Sequence, residues 1–167
     1  MAHSILLLLF PALMAYAAAS DLLTMTISNK ISLALAAGFF MFAVAAGLPA
    51  SAVALHAAAG VLVLATCFAM FAFGWIGGGD AKLAAATALW FGFEALPEYL
   101  VLASLGGGAL TLLVLTLRGA PLPRTVLGWE WLTRLHDRRA GVPYGIALAG
   151  AALLVYPETS LFKLLAP

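Results

Sequence analysis

The sequence predicts an all-α, polytopic integral membrane protein with about six transmembrane helices and a single membrane-embedded domain over residues 1–167. Of the 167 residues, 65% are hydrophobic and only 9% are charged, whereas an ordinary soluble domain carries roughly a quarter charged residues. So few charges cannot cover the surface of a soluble fold of this size. A helix that crosses about 30 Å of hydrocarbon needs about 20 residues, so six helices leave room only for short loops.

Breaks in the apolar pattern place these helices along the chain. We predict spans at residues 4–22, 31–47, 52–75, 81–94, 98–117 and 143–162. The first is expected to be a true span and not a secretory signal, because no basic residue precedes it. The fourth is short, since its residues rise only about 21 Å as a helix. The glycine break before it is therefore expected below the membrane surface, with Asp80 at a water-accessible notch.

The composition disfavours several classes of function. A net charge of +1 provides no basic surplus for binding nucleic acid. The single cysteine, Cys67, allows neither an intrachain disulfide nor a thiolate cluster. The three histidines, His3, His56 and His136, match no metal-ligand spacing. We therefore expect neither a metal ion nor a cofactor, and we expect His56 to be packed or interfacial.

Lysine and arginine counts give the chain an orientation, because these residues are retained on the cytoplasmic side. With six spans, one alternating set of loops holds seven of the eight basic residues, namely Lys30, Lys82, Arg118, Arg124, Arg134, Arg138 and Arg139. Both termini are then predicted to face away from the cytoplasm. The same assignment places Asp21 and Asp80 together on the cytoplasmic side, although they are far apart in sequence.

Five of the seven acidic residues have ordinary explanations. Glu94, Glu98 and Glu158 lie at the non-cytoplasmic ends of spans, while Glu130 and Asp137 lie among arginines in the long loop.

Asp21 and Asp80 remain, and an ionisable residue at membrane depth is by default a functional-site hypothesis. Each also has a structural interpretation. Asp21 could be a solvated carboxylate at a span end, and Asp80 could cap the helix that follows it, with Lys82 as its counter-charge.

As a pair, the two aspartates predict acid and base chemistry. Two carboxylates brought close together cannot both ionise cheaply, so one retains a proton and the pair acts on one water as general base and general acid. Such a dyad hydrolyses a peptide bond without metal, nucleophilic serine or cofactor. Gly77, Gly78 and Gly79 are expected to adopt backbone conformations closed to other residues and to leave space for an extended substrate beside Asp80.

Three segments resemble the bacterial type IV prepilin peptidases, which are membrane aspartyl proteases with a Gly-x-Gly-Asp motif. Gly77 to Leu83 resembles that motif with its following lysine, Lys82. Asp21, followed by Ile27-Ser28-Asn29, resembles the first catalytic aspartate and the Ile-Pro-Asn behind it. Gly141 to Ala147, which contains Pro143, Tyr144 and Gly145, resembles the motif of the last span. The order of the segments is that of the family, and the most similar subgroup is the short CpaA/TadV type of the tight-adherence (Flp) pilus system.

The resemblance implies an endopeptidase of the bacterial inner membrane that removes the basic leader of prepilins and pseudopilins at the cytoplasmic face. Asp21 and Asp80 are then the catalytic pair, and the glycines, Asn29, Lys82, Pro143, Tyr144 and Gly145 are motif or substrate-binding residues. Larger members of the family also carry a four-cysteine segment between the first two spans and methylate the new pilin terminus. The segment from Asp21 to Lys30 is too short for that insertion, so S-adenosylmethionine binding is not implied. Ser28 replaces the usual proline, which predicts a looser turn.

The long loop predicts an amphipathic helix over residues 125–139. Leu127, Trp131, Leu132 and Leu135 share one face of this helix. A helix that carries tryptophan and arginine suits the headgroup layer, so we expect it to anchor to anionic lipid.

Two rival functions stay open. A small proton-coupled transporter would also place carboxylates in a helix bundle, but more naturally at mid-span. A purely structural membrane partner would need neither aspartate. Among enzymes, a lipoprotein signal peptidase is disfavoured by the span number and the glycine motif.

Overall fold

The computed structural model describes residues 2–123, 125 and 128–165, and this part of the chain folds into helices without a strand. The elements are α1 (Ala2–Thr24), α2 (Asn29–Ala45), α3 (Ala50–Ala72), α4 (Gly78–Leu117), α5 (Glu130–His136), α6 (Gly145–Val155), a 3₁₀ turn (Tyr156–Glu158) and α7 (Ser160–Leu165). Within the described residues, three segments are long and apolar enough to cross a membrane: Leu7–Thr24, Ala50–Ala72 and Gly78–Leu117. Asn29–Ala45 and Gly145–Glu158 are shorter apolar helices. The predicted all-α membrane protein is confirmed, while the number of spans stays a prediction.

The helix α4 is broken at Gly92, which has φ 58° and ψ −170°. We call residues 78–91 the first arm of α4 and residues 93–117 its second arm. A straight helix of 40 residues would extend about 60 Å. In the folded chain, however, Asp80 lies near the start of α4 and Arg118 just after its last residue, and both are found at the same end of the bundle. The chain therefore reverses direction at Gly92. The sequence predicted two spans here, but it placed the break at Glu94 to Glu98, which are helical.

His56 of α3 stabilises this break. Its Nδ1 donates to the carbonyl oxygen of Leu89 at 2.9 Å, a group that lies one turn before the interruption and would otherwise lack a helical donor. A Cβ at Gly92 would lie 2.9 Å from the imidazole ring. Only glycine therefore combines this positive φ with the close approach of His56. The expectation that His56 is packed is confirmed.

Trp90, at the end of the first arm, lies at the centre of the core. It is fully buried, and its Nε1 donates to the carbonyl oxygen of Leu35 in α2 at 2.8 Å. Aromatic rings from α1, α2 and the 3₁₀ turn surround it at centroid distances of 5.1 to 6.3 Å; they belong to Phe10, Phe39, Phe42 and Tyr156. This cluster fixes the first arm against three other elements.

Two predicted helices are shorter in the structure. The helix expected over residues 125–139 is reduced to α5, and Leu127 lies outside the described residues. The span expected at 143–162 is divided, because α6 ends at Val155 and the chain continues through the 3₁₀ turn into α7. Pro157 lies in that turn, and its ring is incompatible with a regular helix interior.

Candidate active site

Three separate segments of the chain meet at one end of the bundle. They are the end of α1 with the following loop (residues 21–29), the start of α4 (residues 77–82) and the segment before α6 (residues 141–145). These are the three segments that the sequence singled out. The predicted convergence of the two aspartates on one side is therefore found as a shared end of the bundle.

Asp21 lies in the last turn of α1 and is only 5% exposed. Its Oδ2 accepts a hydrogen bond from the backbone N–H of Gly145 at 2.7 Å. Asp21 is therefore not the solvated span-end carboxylate of the structural interpretation. A buried carboxylate that accepts a backbone N–H bond has a fixed orientation, because rotation would leave both groups without a partner.

Asp80 is the third residue of α4 and is partly exposed. A Cβ at Gly77 would lie 2.8 Å from Asp80 Oδ2, so the carboxyl group turns back toward the helix start, where a negative charge is favoured. Because α4 begins at Gly78, with Gly77 as its N-cap, Asp80 lies in the first turn of the helix and does not cap a helix that begins after it. Gly79, the residue before Asp80, and Gly145, which binds Asp21, both pack on Ile27. The two aspartates therefore belong to the same end of the bundle.

Ile27, in the first segment, packs against both of the other segments. A Cβ at Gly79 would lie 3.1 Å from Ile27 Cβ, and a Cβ at Gly145 would lie 2.7 Å from Ile27 Cδ1. Both glycines therefore pack directly on this side chain. The sequence showed Ile27 only as part of a motif, and its position between the two glycines depends on contacts that no local pattern reveals.

The expected role of the three glycines before Asp80 is partly wrong. Gly77 has φ −74°, and within the described chain the glycines with positive φ are Gly47, Gly74 and Gly92. Gly78 and Gly79 form the first turn of α4, where Gly78 packs on Phe71 and Gly79 on Ile27. Close packing, and not an unusual backbone conformation, is what requires glycine here.

Lys82 binds the start of α2. Its Nζ donates to Asn29 Oδ1 at 2.8 Å, and the one ion pair in the described part of the chain joins Lys163 and Glu158. Lys82 is thus not paired directly with Asp80, contrary to the capping interpretation. Ser28 is the N-cap of α2, and its Oγ accepts from Lys30 N at 3.3 Å. Its φ of −65° is the value that proline would impose, and the looser turn stays a prediction.

Tyr144 anchors the third segment to the second arm of α4. Its hydroxyl donates to the carbonyl oxygen of Ala103 at 3.3 Å, and its ring fills the space where a Cβ at Gly107 would lie. The preceding Pro143 is buried. The anchor therefore sets the position of the next residue, Gly145, whose N–H binds Asp21.

An apolar groove begins beside this site and runs between α2, α3 and the first arm of α4. It encloses about 470 Å³. Asn29 and Lys82 lie at its polar end, and small residues form much of its wall, including Ala36, Ala57, Gly60, Ala85 and Ala86. Small residues allow the backbones of neighbouring helices to approach closely.

The fold and the site together define a helical membrane protein with two carboxylates held at one end of its bundle. The model of the Type IV leader peptidase family matches residues 8–112 of this chain. The chain therefore belongs to the Type IV leader peptidase family and is a membrane protease. The match includes Asp21 and the Gly77 to Lys82 segment but ends before Gly141. Comparison with curated proteins and with solved structures gave no match.

Proposed function

We propose that this protein is an aspartic-type endopeptidase that removes the leader peptides of type IV or Flp prepilins and pseudopilins. The observation that carries the proposal is the meeting of Asp21 and Asp80 at one end of the bundle of a leader peptidase family member. Seven of the eight basic residues belong to that end by sequence, which supports a site at the cytoplasmic face of the bacterial inner membrane.

In this mechanism the two carboxyl groups act on one water and one peptide bond. The carboxylate of one aspartate takes a proton from the water, whose oxygen attacks the scissile carbonyl carbon to form a tetrahedral intermediate. The carboxylic acid of the other aspartate protonates the amide nitrogen as the C–N bond breaks. The products are a new carboxyl end on the leader and a new amino end on the pilin.

The surrounding contacts orient this pair. The Gly145 N–H holds one oxygen of Asp21, Ile27 packs between Gly79 and Gly145, and the hydrogen bond of Lys82 to Asn29 ties α4 to α2. Reacting groups gain most from being held before substrate arrives, because correct orientation removes an entropic cost from the transition state.

The short connection between α1 and α2 supports the CpaA/TadV-type subgroup. Only residues 25–28 separate α1 from α2, so the four-cysteine segment of the larger members has no place there. We therefore propose peptidase activity without methylation of the pilin.

The principal test is leader cleavage in cells that coexpress a cognate prepilin. Asp21→Asn and Asp80→Asn keep side-chain volume and remove the ionisable group, so each is expected to lower cleavage by at least about 10³-fold, since both members of an acid–base pair are required. Asp137→Asn, in the exposed loop, is the matched control and should cleave like the native protein. If either aspartate variant still releases the leader at the native rate, the dyad mechanism is wrong.

A second test addresses the geometry around Asp21. Gly145→Ala places a Cβ 2.8 Å from Asp21 Oδ2 and is expected to reduce kcat by about 100-fold, because small displacements of a reacting group are costly. Gly150→Ala, in the same helix, meets nothing within 4 Å and should have native kcat. Equal activity of the two variants would show that the Gly145 contact is not needed.

The proton-coupled transporter remains the alternative function. The location of both carboxylates at one end of the bundle disfavours it, because a transporter must expose its site to both sides in turn. A single cysteine at position 80, which is partly exposed, in a Cys67→Ser background, should react only with reagents applied from the cytoplasmic side. Reaction from both sides would favour transport.

A further inference from the structure

Arg118 is a buried cation that sequence reasoning treated only as a marker of orientation. It is 8% exposed, and it takes no part in the one ion pair of the described chain. Its guanidinium instead binds two backbone carbonyl groups: Nε donates to Leu135 O at 2.8 Å and Nη2 to Gly141 O at 2.7 Å. A charge is retained at such a position only when hydrogen bonds compensate for lost hydration.

The position of Arg118 follows from the second arm of α4. The buried residues of this arm form one stripe at helical spacing, and the stripe includes Tyr99, Ala103, Gly107 and Val114. Arg118 follows Val114 by four residues and so continues the stripe beyond the end of the helix. The planar guanidinium has several donors in a rigid arrangement, which suits it to bind two carbonyl groups at once.

One connection leads from Arg118 to Asp21 through the third segment. Arg118 holds the carbonyl group of Gly141, four residues before Gly145. Tyr144 holds the same segment through its bond to Ala103. The segment is thus fixed at two points, by Ala103 of the second arm and by Arg118 just after its end, and the N–H of Gly145 is directed at Asp21 Oδ2.

A second connection passes through α5. Arg118 binds Leu135, and the adjacent Arg134 donates from Nη1 to the carbonyl oxygen of Leu23 at 2.8 Å. Leu23 lies in the last turn of α1, two residues after Asp21, where the carbonyl groups lack helical donors and favour a cation. Arg118 therefore supports both the segment that binds Asp21 and the end of the helix that carries it.

We propose that Arg118 is a positioning residue for Asp21. One connection runs through Gly141 to Gly145, whose N–H binds Asp21, and the other runs through α5 to Leu23 at the end of α1. This inference rests on the proposed peptidase function. Arg118 does not touch the substrate in this proposal, so its loss should change turnover and leave substrate binding nearly unchanged.

The test compares purified variants on a prepilin substrate. Arg118→Ala is expected to lower kcat by about 100-fold with KM within about threefold of the native value. Arg118→Lys should recover part of kcat, because a lysine ammonium can replace one carbonyl contact but not the planar pair. Arg139→Ala removes an exposed arginine from the same loop and should behave like the native enzyme. The melting temperature of each variant is measured in the same detergent.

Two kinetic outcomes would overturn the proposal. If Arg118→Ala lowers only the melting temperature while the folded enzyme keeps native kcat, Arg118 is merely structural. If KM rises and kcat is unchanged, Arg118 contributes to substrate binding instead.

A measurement without activity separates this proposal from the peptidase function. Hydrogen exchange over residues 141–146 should be faster in Arg118→Ala than in Arg139→Ala, because the segment loses one of its two anchors. Unchanged exchange would refute the positioning role even if the native protein cleaves no prepilin. Faster exchange together with an inactive native protein would instead refute the peptidase function alone.

Discussion

The two arms of α4 have similar apolar sequences but opposite surroundings. In the first arm every residue from 83 to 91 is buried, on all sides of the helix. In the second arm the buried residues form a single stripe, and large side chains such as Leu105 and Leu112 are two-thirds exposed. The first arm is thus the central helix of the bundle, whereas the second covers one side of it.

The difference explains why Asp80 lies on the first arm. A helix that is packed on every side has little freedom to tilt or rotate, so the carboxylate at its start is held firmly. Such a helix needs small residues to admit its neighbours, and the run from Ala84 to Ala88 provides them. The second arm needs only one packed face. This face carries Gly107 and continues to Arg118 just after the helix, and both residues support the third segment of the site.

The largest expected difference between the arms concerns core packing. Trp90→Ala should destabilise the protein by about 3–5 kcal/mol, since it leaves a cavity among four aromatic rings and frees the carbonyl group of Leu35. Leu105→Ala, on the outer face of the second arm, should change the free energy of unfolding by less than about 0.5 kcal/mol. Unfolding in mixed micelles measures both, and equal losses would contradict the assignment of the first arm as the core.

The break between the arms provides the next largest effect. Gly92→Ala should cost about 2–4 kcal/mol, because it combines strain at a positive φ with overlap on the His56 ring. The same substitution in a His56→Ala background should cost less, since only the strain remains. Additive losses in this double-mutant cycle would show that His56 and Gly92 are not coupled.

A smaller effect is expected at the stripe of the second arm. Gly107→Ala places a Cβ in the space of the Tyr144 ring and should destabilise the protein by about 1–3 kcal/mol. Gly108→Ala changes the adjacent residue, where nothing lies within 4 Å, and should be neutral. Thermal melting of the two variants in one detergent measures this difference. Equal melting temperatures would show that the packing of Tyr144 on Gly107 does not stabilise the protein.

The smallest effect is expected at the exposed start of the first arm. Lys82→Met removes the bond to Asn29 and should cost less than about 1 kcal/mol, because solvent competes for both groups. Lys30→Met, which removes a nearby exposed lysine, is the control for the loss of charge. If Lys82→Met costs more than Lys30→Met by over about 1 kcal/mol, Lys82 has partners beyond Asn29.

The positions of the helices were largely predictable, while their breaks were not. The apolar pattern located α1, α2 and α3 to within a few residues because helix formation in a membrane depends on local composition. The break in α4 was placed at Glu94 to Glu98, because carboxylates and a proline are the local signals of an interruption. The real break at Gly92 depends on His56, a residue of another helix.

The sequence by itself determined that this is a helical membrane protein and that two aspartates stand apart from its other carboxylates. These properties follow from composition and from local spacing. Only the tertiary structure decided that the N–H of Gly145 binds Asp21, 124 residues away, that Ile27 lies between two glycines and that Arg118 reaches Gly141. Such contacts are set by the packing of all the helices together, so no local segment of the chain contains them.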